Sequence, residues 1–486
     1  MIVVSEHQLS VAEAFRFALR ATRRELRRDL GTSQGAAAAI IRATLAQQEG
    51  DVDFAVRLLR GAFERASDRE RPYLADLLVP LLISHKVLDE AEERLVATLD
   101  PMLAAGVEGL CAVLAAVRGD AERSHEHALA CEAMLDVVDD AAMRARILGR
   151  LAFAAFYRCQ HTEADRLALA SAALAEREGA WRYAATAYSI RYSIAHDVTG
   201  DLDVAFASAC ALVTAADACE DASQRTFGLV ALQEIAVENG DDAEAERLKR
   251  LVRAKPLPPQ YSERFASVVA DAIPSAWRGD FASFRAVVSV LRDTDRSVGE
   301  RALCDAFLAL AAAALEQSDE ARRLSRRALS ATTRPYAATV AYENRYRRVA
   351  RALAACACLI IGDTVRARRS LASRALSEDP DFAAILALAE RGAWENAPAR
   401  LRGYGRVVVA VRDAALRRAH RGILTAAERE VLHALAEGMN APAIALETGR
   451  SVHTIRSHTS AIISKLGAHG RGDAVARARK LGLIEP

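Results

Sequence analysis

Rings are scarce in this chain. Only 5% of its 486 residues are aromatic, and the apolar 52% is made mostly of Ala, Leu and Val. Sheets draw on aromatic and β-branched residues, whereas small and unbranched apolar residues suit close helix packing, so the composition points to an all-α protein. Lysine occurs only five times against 65 basic residues in total. Together with the alanine excess this reads as GC-rich coding, and no chemistry is drawn from it.

Other absences exclude whole classes of function. The eight cysteines (111, 131, 159, 210, 219, 304, 356 and 358) form no C-x-x-C and no paired metal-ligand spacing. They read as small core residues of a reducing compartment inside apolar helical stretches. No apolar run approaches the ~18 residues that a membrane span needs, and the opening MIVVSEHQLS has neither a basic leader nor an apolar leader core. No lysine completes a G-x-x-x-x-G-K-[ST] phosphate loop, so a bound and hydrolysed nucleotide is not expected. The opening Met1-Ile-Val-Val-Ser-Glu-His7 has the look of a first receiver strand, but the strand and helix alternation of a receiver domain does not follow. A soluble, cytoplasmic protein with no cofactor and no metal is the expectation, and it is not expected to be an enzyme.

What is present is repetition. The phrase Gly50-Asp-Val-Asp-Phe-Ala55 returns at Gly200–Ala205, Gly240–Ala245 and Gly362–Ala367, more weakly at Gly119-Asp120 and Gly279-Asp280, and without the glycine ending at Ala91, Ala164 and Ala321. Aligned final positions are 55, 91, 124, 164, 205, 245, 285, 321 and 367, at a mean interval of 39 residues. Each interval holds two amphipathic helical patterns. Gly can end one helix in the left-handed conformation and Asp can cap the next. Alanine at the final position is a size restriction where two helices cross; Ser124 and Arg285 break it. A helix pair of this size cannot bury its apolar face alone, so stacked neighbours must supply a continuous core.

On the phrase G-D-x-x-x-A the chain resembles the tetratricopeptide repeat family over roughly residues 35 to 390. The period is longer and less regular than the ~34 residues of that family, and looser stacking of helix hairpins is the alternative. The prolines of Lys255-Pro-Leu-Pro-Pro259 must break a helix, and a bend is expected there. Pro398, Gly403 and Gly405 mark the best domain boundary, followed by a helix at about 406 to 419.

From Leu424 the punctuation changes. Thr425-Ala-Ala-Glu428 is a capping box, Gly438 a stop, Asn440 a cap, Thr448-Gly-Arg450 a turn, and Ser451 the cap of a third helix reaching Leu466. A fourth helix is expected at about 472 to 481. In the third, Ile455, Thr459, Ile462 and Leu466 share an inner face by spacing, and His453, Arg456, Ser457, Ser460 and Ser464 an outer one. Two short helices about a glycine turn make a helix-turn-helix, whose second helix can enter a major groove.

Residues 424 to 478 closely resemble the LuxR-type helix-turn-helix domain of bacterial transcription regulators, with Leu424, Thr425, Glu428, Gly438, Ile444, Ser451, Thr454, Ile455, Arg456, His458, Lys465, Leu466 and Gly467 in register. Departures are Ala427, Ala441-Pro-Ala443, Thr448 and Ala461. The resemblance implies that Arg456, Ser457 and Ser460 face bases and that Thr454 and Lys465 meet phosphates, with His453 beside them. It also implies that the fourth helix, with Ala474, Ala478 and Leu481 at helical spacing, pairs two domains. Residues 420–486 carry nine basic and six acidic side chains, a net +3 within a chain of net +1.

The expected organisation is therefore a tetratricopeptide-like α-solenoid over 1–395, a linker and connecting helix over 396–420, and a four-helix LuxR-type domain over 421–486. The function that follows is a bacterial transcription regulator. Its array would receive a protein or small-molecule effector, and two copies would bind double-stranded DNA. The alternative is an interaction scaffold whose last domain reads no DNA. Trp181, Tyr188, Arg191 and Tyr192, with His196 nearby, form a candidate ligand or partner groove; ordinary inter-helix packing is the competing reading. Tyr336, Tyr342 and Tyr346 with Arg345, Arg347 and Arg348 form a second such cluster. Arg20, Arg23, Arg24, Arg27 and Arg28 make a basic N-terminal helix face in which Glu25 and Asp29 interleave, as on a solvated surface.

Overall fold

A computed structural model describes residues 9–29, 34–95, 98, 100–254, 265–293, 297–333, 341–371, 401–421, 424–481 and 483–484. Regular structure among these residues is entirely helical. The chain divides into two compact units. The first comprises Met1–Asp271, Ser297–Glu300 and Thr333–Arg348, and the second Ala272–Arg296, Arg301–Thr332 and Val349–Pro486.

Helices follow one another as hairpins whose joints are built alike. A residue in the left-handed region ends each first helix: Gly50, Gly119, Gly200, Gly240, Gly279 and Gly362, and, where the phrase lacks glycine, Lys86, Cys159 and Glu316. The next residue donates its N–H five positions back, as from Asp51 to Ala46 O at 2.8 Å and from Gln317 to Ala312 O at 2.9 Å, so a carbonyl orphaned by the helix end is satisfied. At the glycine joints the Asp carboxylate then caps the second helix, accepting from Phe54 N at 3.0 Å after Asp51 and from Glu244 N at 3.0 Å after Asp241.

The fifth residue after each left-handed one is buried, with 2% exposure or less at all nine joints. Alanine fills seven of them. Ser124 fills the eighth because its hydroxyl donates to Ala112 O at 2.7 Å, which removes the cost of burying it. The ninth corrects the register assigned from sequence: the copy beginning at Gly279 ends at Phe284, not Arg285. Asp280 caps through Ser283 N, and the Phe284 ring lies edge-on to Phe307 at 5.5 Å. Here the crossing admits a ring because the opposing helix supplies one.

The joint at Gly200 differs. Its helix ends in a wide π turn, Ile194–Thr199, and Asp201 donates six positions back to Ala195 O.

Several expectations need correction. Helix Pro101–Arg118 is long and apolar enough, by length and composition, to cross a membrane, contrary to the reading that no run approaches that size; 61% of it is buried inside the protein. The basic N-terminal face is not a single helix: Arg20 stands in the turn after Val11–Ala18, and the other four arginines lie on Arg23–Asp29. Three of its five arginines are held by acids: Arg20 pairs with Asp140 at 2.9 Å, Arg27 with Glu49, and Arg28 with Asp29. Cys159 is exposed at a joint instead of sitting in a helical core. The connecting helix runs Arg402–Arg421, so Gly403 and Gly405 lie inside it. Residues 1–7, the break at 255–259 and residues 396–400 lie outside the described residues, as does Tyr336; of the second aromatic cluster, Arg347 is buried and Arg348 exposed.

Candidate nucleic-acid interface

Four helices, Ala426–Ala436, Ala441–Thr448, Val452–Lys465 and Arg471–Lys480, close around one core. Leu424, Val431, Leu432, Ile444, Ile455, Ile462, Leu466, Ala474 and Ala478 supply it. Local sequence explains each end. Thr425 and Glu428 form both halves of the capping box. Asn440 caps the second helix through Ala443 N at 3.0 Å, with Pro442 in the first turn where no N–H is missed. Gly449 takes the left-handed conformation (φ 65°) that turns the chain toward Ser451.

Ser451 caps the third helix by accepting from Thr454 N at 3.0 Å, and its hydroxyl also meets the Thr454 hydroxyl at 2.8 Å. Ile455, Thr459 and Ile462 are buried, and the Thr459 hydroxyl is satisfied by Ile455 O. His453, Arg456, Ser457, Ser460 and Ser464 are exposed and Thr454 half-buried, so the outer face is the one the spacing specified. The Arg456 side chain makes no hydrogen bond or ion pair with another described residue. A free guanidinium flanked by two small hydroxyl residues can approach base edges and phosphates without steric screening.

Lys465, expected at a phosphate, makes an ion pair within its own domain. Its Nζ donates to Glu428 Oε2 at 2.7 Å, and the same oxygen accepts from Thr425 N at 2.6 Å. Burial would raise the Glu428 carboxyl, but the Lys465 and Thr425 bonds outweigh it and hold the group below the usual carboxylate range. Lys465 thus ties the far end of the third helix to the start of the first. Nothing in the residue spacing connects positions 37 apart, so sequence reasoning missed the pair. It also missed Arg477, which donates to Gly467 O at 2.6 Å and closes the third helix's C-terminus.

The fourth helix does not present the face expected for pairing domains. Ala474 and Ala478 are fully buried in their own domain, and Leu481 packs against that core. Among the described side chains of this helix, Arg471, Gly472, Ala476 and Arg479 are exposed.

The candidate groove of the array is also dispersed. Trp181 and Tyr188 pack against the large core, and the Tyr188 hydroxyl donates to Glu176 at 2.7 Å. Arg191 pairs with Asp165 at 2.8 Å. Tyr192 is buried, donates to Glu234 at 2.6 Å and stacks on His196 at 4.9 Å in the π turn. These four side chains make helix-to-helix contacts.

Residues 422–478 match the family described as bacterial regulatory proteins, luxR family. Over 63 residues the chain is 40% identical to the probable transcriptional regulatory protein NarL of Mycobacterium tuberculosis, strain ATCC 25618 / H37Rv, covering 13% of this chain and 29% of that protein. Over 61 residues it is 41% identical to the transcriptional regulatory protein YdfI of Bacillus subtilis strain 168, again covering 13% and 29%. The chain therefore spans less than a third of the length of these relatives.

Proposed function

We propose, from a chain that ends in a LuxR-family helix-turn-helix domain, that the protein is a bacterial transcription regulator acting in the cytoplasm and is not an enzyme. The observation that carries this is the exposed, unpaired outer face of Val452–Lys465, with Arg456 at its centre. In this reading His453, Ser457 and Ser460 line the base edges beside Arg456, and Thr454 sits at the helix start nearest a phosphate. The helical hairpins form a tetratricopeptide-like array that receives an effector and alters how the DNA-binding domains are presented. One small domain buries too little surface for strong specific binding alone, so two chains act together on DNA.

Binding of the full-length chain to duplexes selected from a random pool, measured across a salt series, tests the proposal. Selection of a common sequence, with affinity falling steeply as salt rises, is the expected result. A chain that enriches no sequence and shows no salt-dependent shift is instead a scaffold whose last domain reads no DNA.

A further inference from the structure

The first compact unit holds a half-open cavity of about 730 Å³, within the ~300–1,000 Å³ range of small-molecule sites. Leu81, Leu110, Val113, Phe153 and Ile190 give it an apolar wall. Lys86, Arg146, Arg150 and Arg182 are the charged residues that line it, and all four are cations. The acids that balance them stand behind the lining.

Asp76 is the main one. It is 2% exposed; Arg146 Nη1 lies 2.6 Å from its Oδ2, and Arg150 Nη1 donates to its Oδ1 at 2.7 Å. Two guanidiniums face one carboxylate, so this cluster is one positive charge in excess. The arginines are also fixed by a backbone group. Pro80, four residues on and inside helix Arg71–Ser84, has no N–H to give the Asp76 carbonyl. That carbonyl accepts instead from Arg146 Nη2 at 2.7 Å and Arg150 Nη2 at 3.1 Å. The Arg146 guanidinium lies over the Tyr183 ring, 5.5 Å from its centre. Arg182 is shared between Gln47 Oε1 and the buried Asp221, 3.6 Å away.

Gln47 supplies an independent sign. It is 8% exposed, borders the cavity, and its Nε2 has no hydrogen-bond partner among the described residues. A buried donor left unmade is costly, and a ligand acceptor in the cavity would satisfy it.

We infer that this cavity binds a small organic molecule made of an oxyanion beside a flat apolar body. The oxyanion meets Arg146, Arg182 and the Gln47 amide, and the apolar body lies along Phe153, Leu110 and Ile190. The inference rests on reading the array as the signal-receiving part, and it supplies the chemical class of the signal.

Calorimetric titration of the full-length chain with naphthoate, naphthyl phosphate and neutral naphthamide tests it. At least one of the two anions should bind saturably at one per chain, and which one binds separates a carboxylate from a phosphate ligand. The amide should bind at least ~10-fold more weakly, the order of one charge-assisted hydrogen bond. Gln47→Leu should weaken the anion by about tenfold while leaving the melting temperature in place, and Arg182→Gln should weaken it as much but also lower the melting temperature, because it takes the cation from the buried Asp221; both spare the Asp76 cluster. No saturable binding of either anion, equal binding of the amide, or unchanged affinity in both variants would overturn the site. The DNA-binding measurement is scored separately. If an anion binds but the chain selects no DNA sequence, the site stands and the regulator reading fails; if the chain selects DNA but binds neither anion, the reverse holds.

Discussion

Arg456 and Lys465 sit nine positions apart on one helix and do different jobs. Arg456→Ala should cost roughly 1–3 kcal/mol on the selected duplex and flatten preference at one base pair, because a bidentate guanidinium reads guanine. Equal weakening on a scrambled duplex would make it a phosphate contact. Lys465→Met should lower the stability of the DNA-binding domain by about 1–2 kcal/mol, since it strips a buried carboxylate of its charged partner. Chemical unfolding followed through that domain would show this, and wild-type stability in the mutant would refute the brace. The Glu428 carboxyl is depressed in the folded state, so its contribution is present above the ordinary carboxylate value near ~4.3 and drains away as pH falls below it. The outer face of the helix was legible because helical spacing alone decides it. The Lys465 partner was not, since a residue's position on a helix does not say which distant acid meets it.

At the level of the helix hairpin, the joint is the unit. Glycine and aspartate announced six joints by their conformational freedom and capping chemistry. Three others are made by Lys86, Cys159 and Glu316, whose side chains resist the left-handed region and give no signal in the sequence. Only the buried residue five positions on betrays them, as Ala91, Ala164 and Ala321 do. Glu316→Gly should therefore stabilise the protein by about 0.5–1 kcal/mol by relieving that strain. Gly362→Ala, at a φ of 79° with open space around the missing Cβ, should destabilise it by about 1 kcal/mol through backbone strain alone. Thermal unfolding of both variants checks the pair, and shifts of the same sign would show that the joints are not under conformational control. The π turn before Gly200 escaped the sequence altogether, because it stands at the end of its helix, where no later turn records the shift in register.

Across the whole molecule, the all-helical class and the last domain were legible, the first from composition and the second from caps and spacing. The division into two compact units was not: the second unit begins at Ala272, inside a run of hairpins that look alike in sequence. The buried cluster of Asp76, Arg146 and Arg150 joins segments some 70 residues apart, and no local pattern announces it. Burial alone would raise the Asp76 carboxyl, but the two guanidiniums outweigh it and hold it low. Its stabilisation is therefore complete above the unfolded value near ~3.9 and is lost as pH drops through the depressed folded value. Asp76→Asn should remove that acid dependence and cost roughly 3–5 kcal/mol at neutral pH, because it leaves two buried cations without their counter-charge. Urea unfolding from pH 7 downward would test both statements, and a mutant with the parent's stability at pH 7 would remove the cluster from the list of what holds this unit together. On DNA, two chains should protect half-sites about one helical turn, ~34 Å, apart, and a footprint confined to one half-site at saturation would count against paired action.

Helix Pro101–Arg118 has a consequence for how the protein fails. Its mean hydropathy of 1.5 is tolerable only while its neighbours cover it. Once thermal motion parts the hairpins on either side, an 18-residue greasy segment is presented to its surroundings, and chains opened together adhere through it before they can reclose. Heat inactivation should accordingly be governed by the rate of that opening, hastened by protein concentration and slowed by a chaperone that sequesters the exposed stretch, so that the working lifetime of the protein is a kinetic quantity.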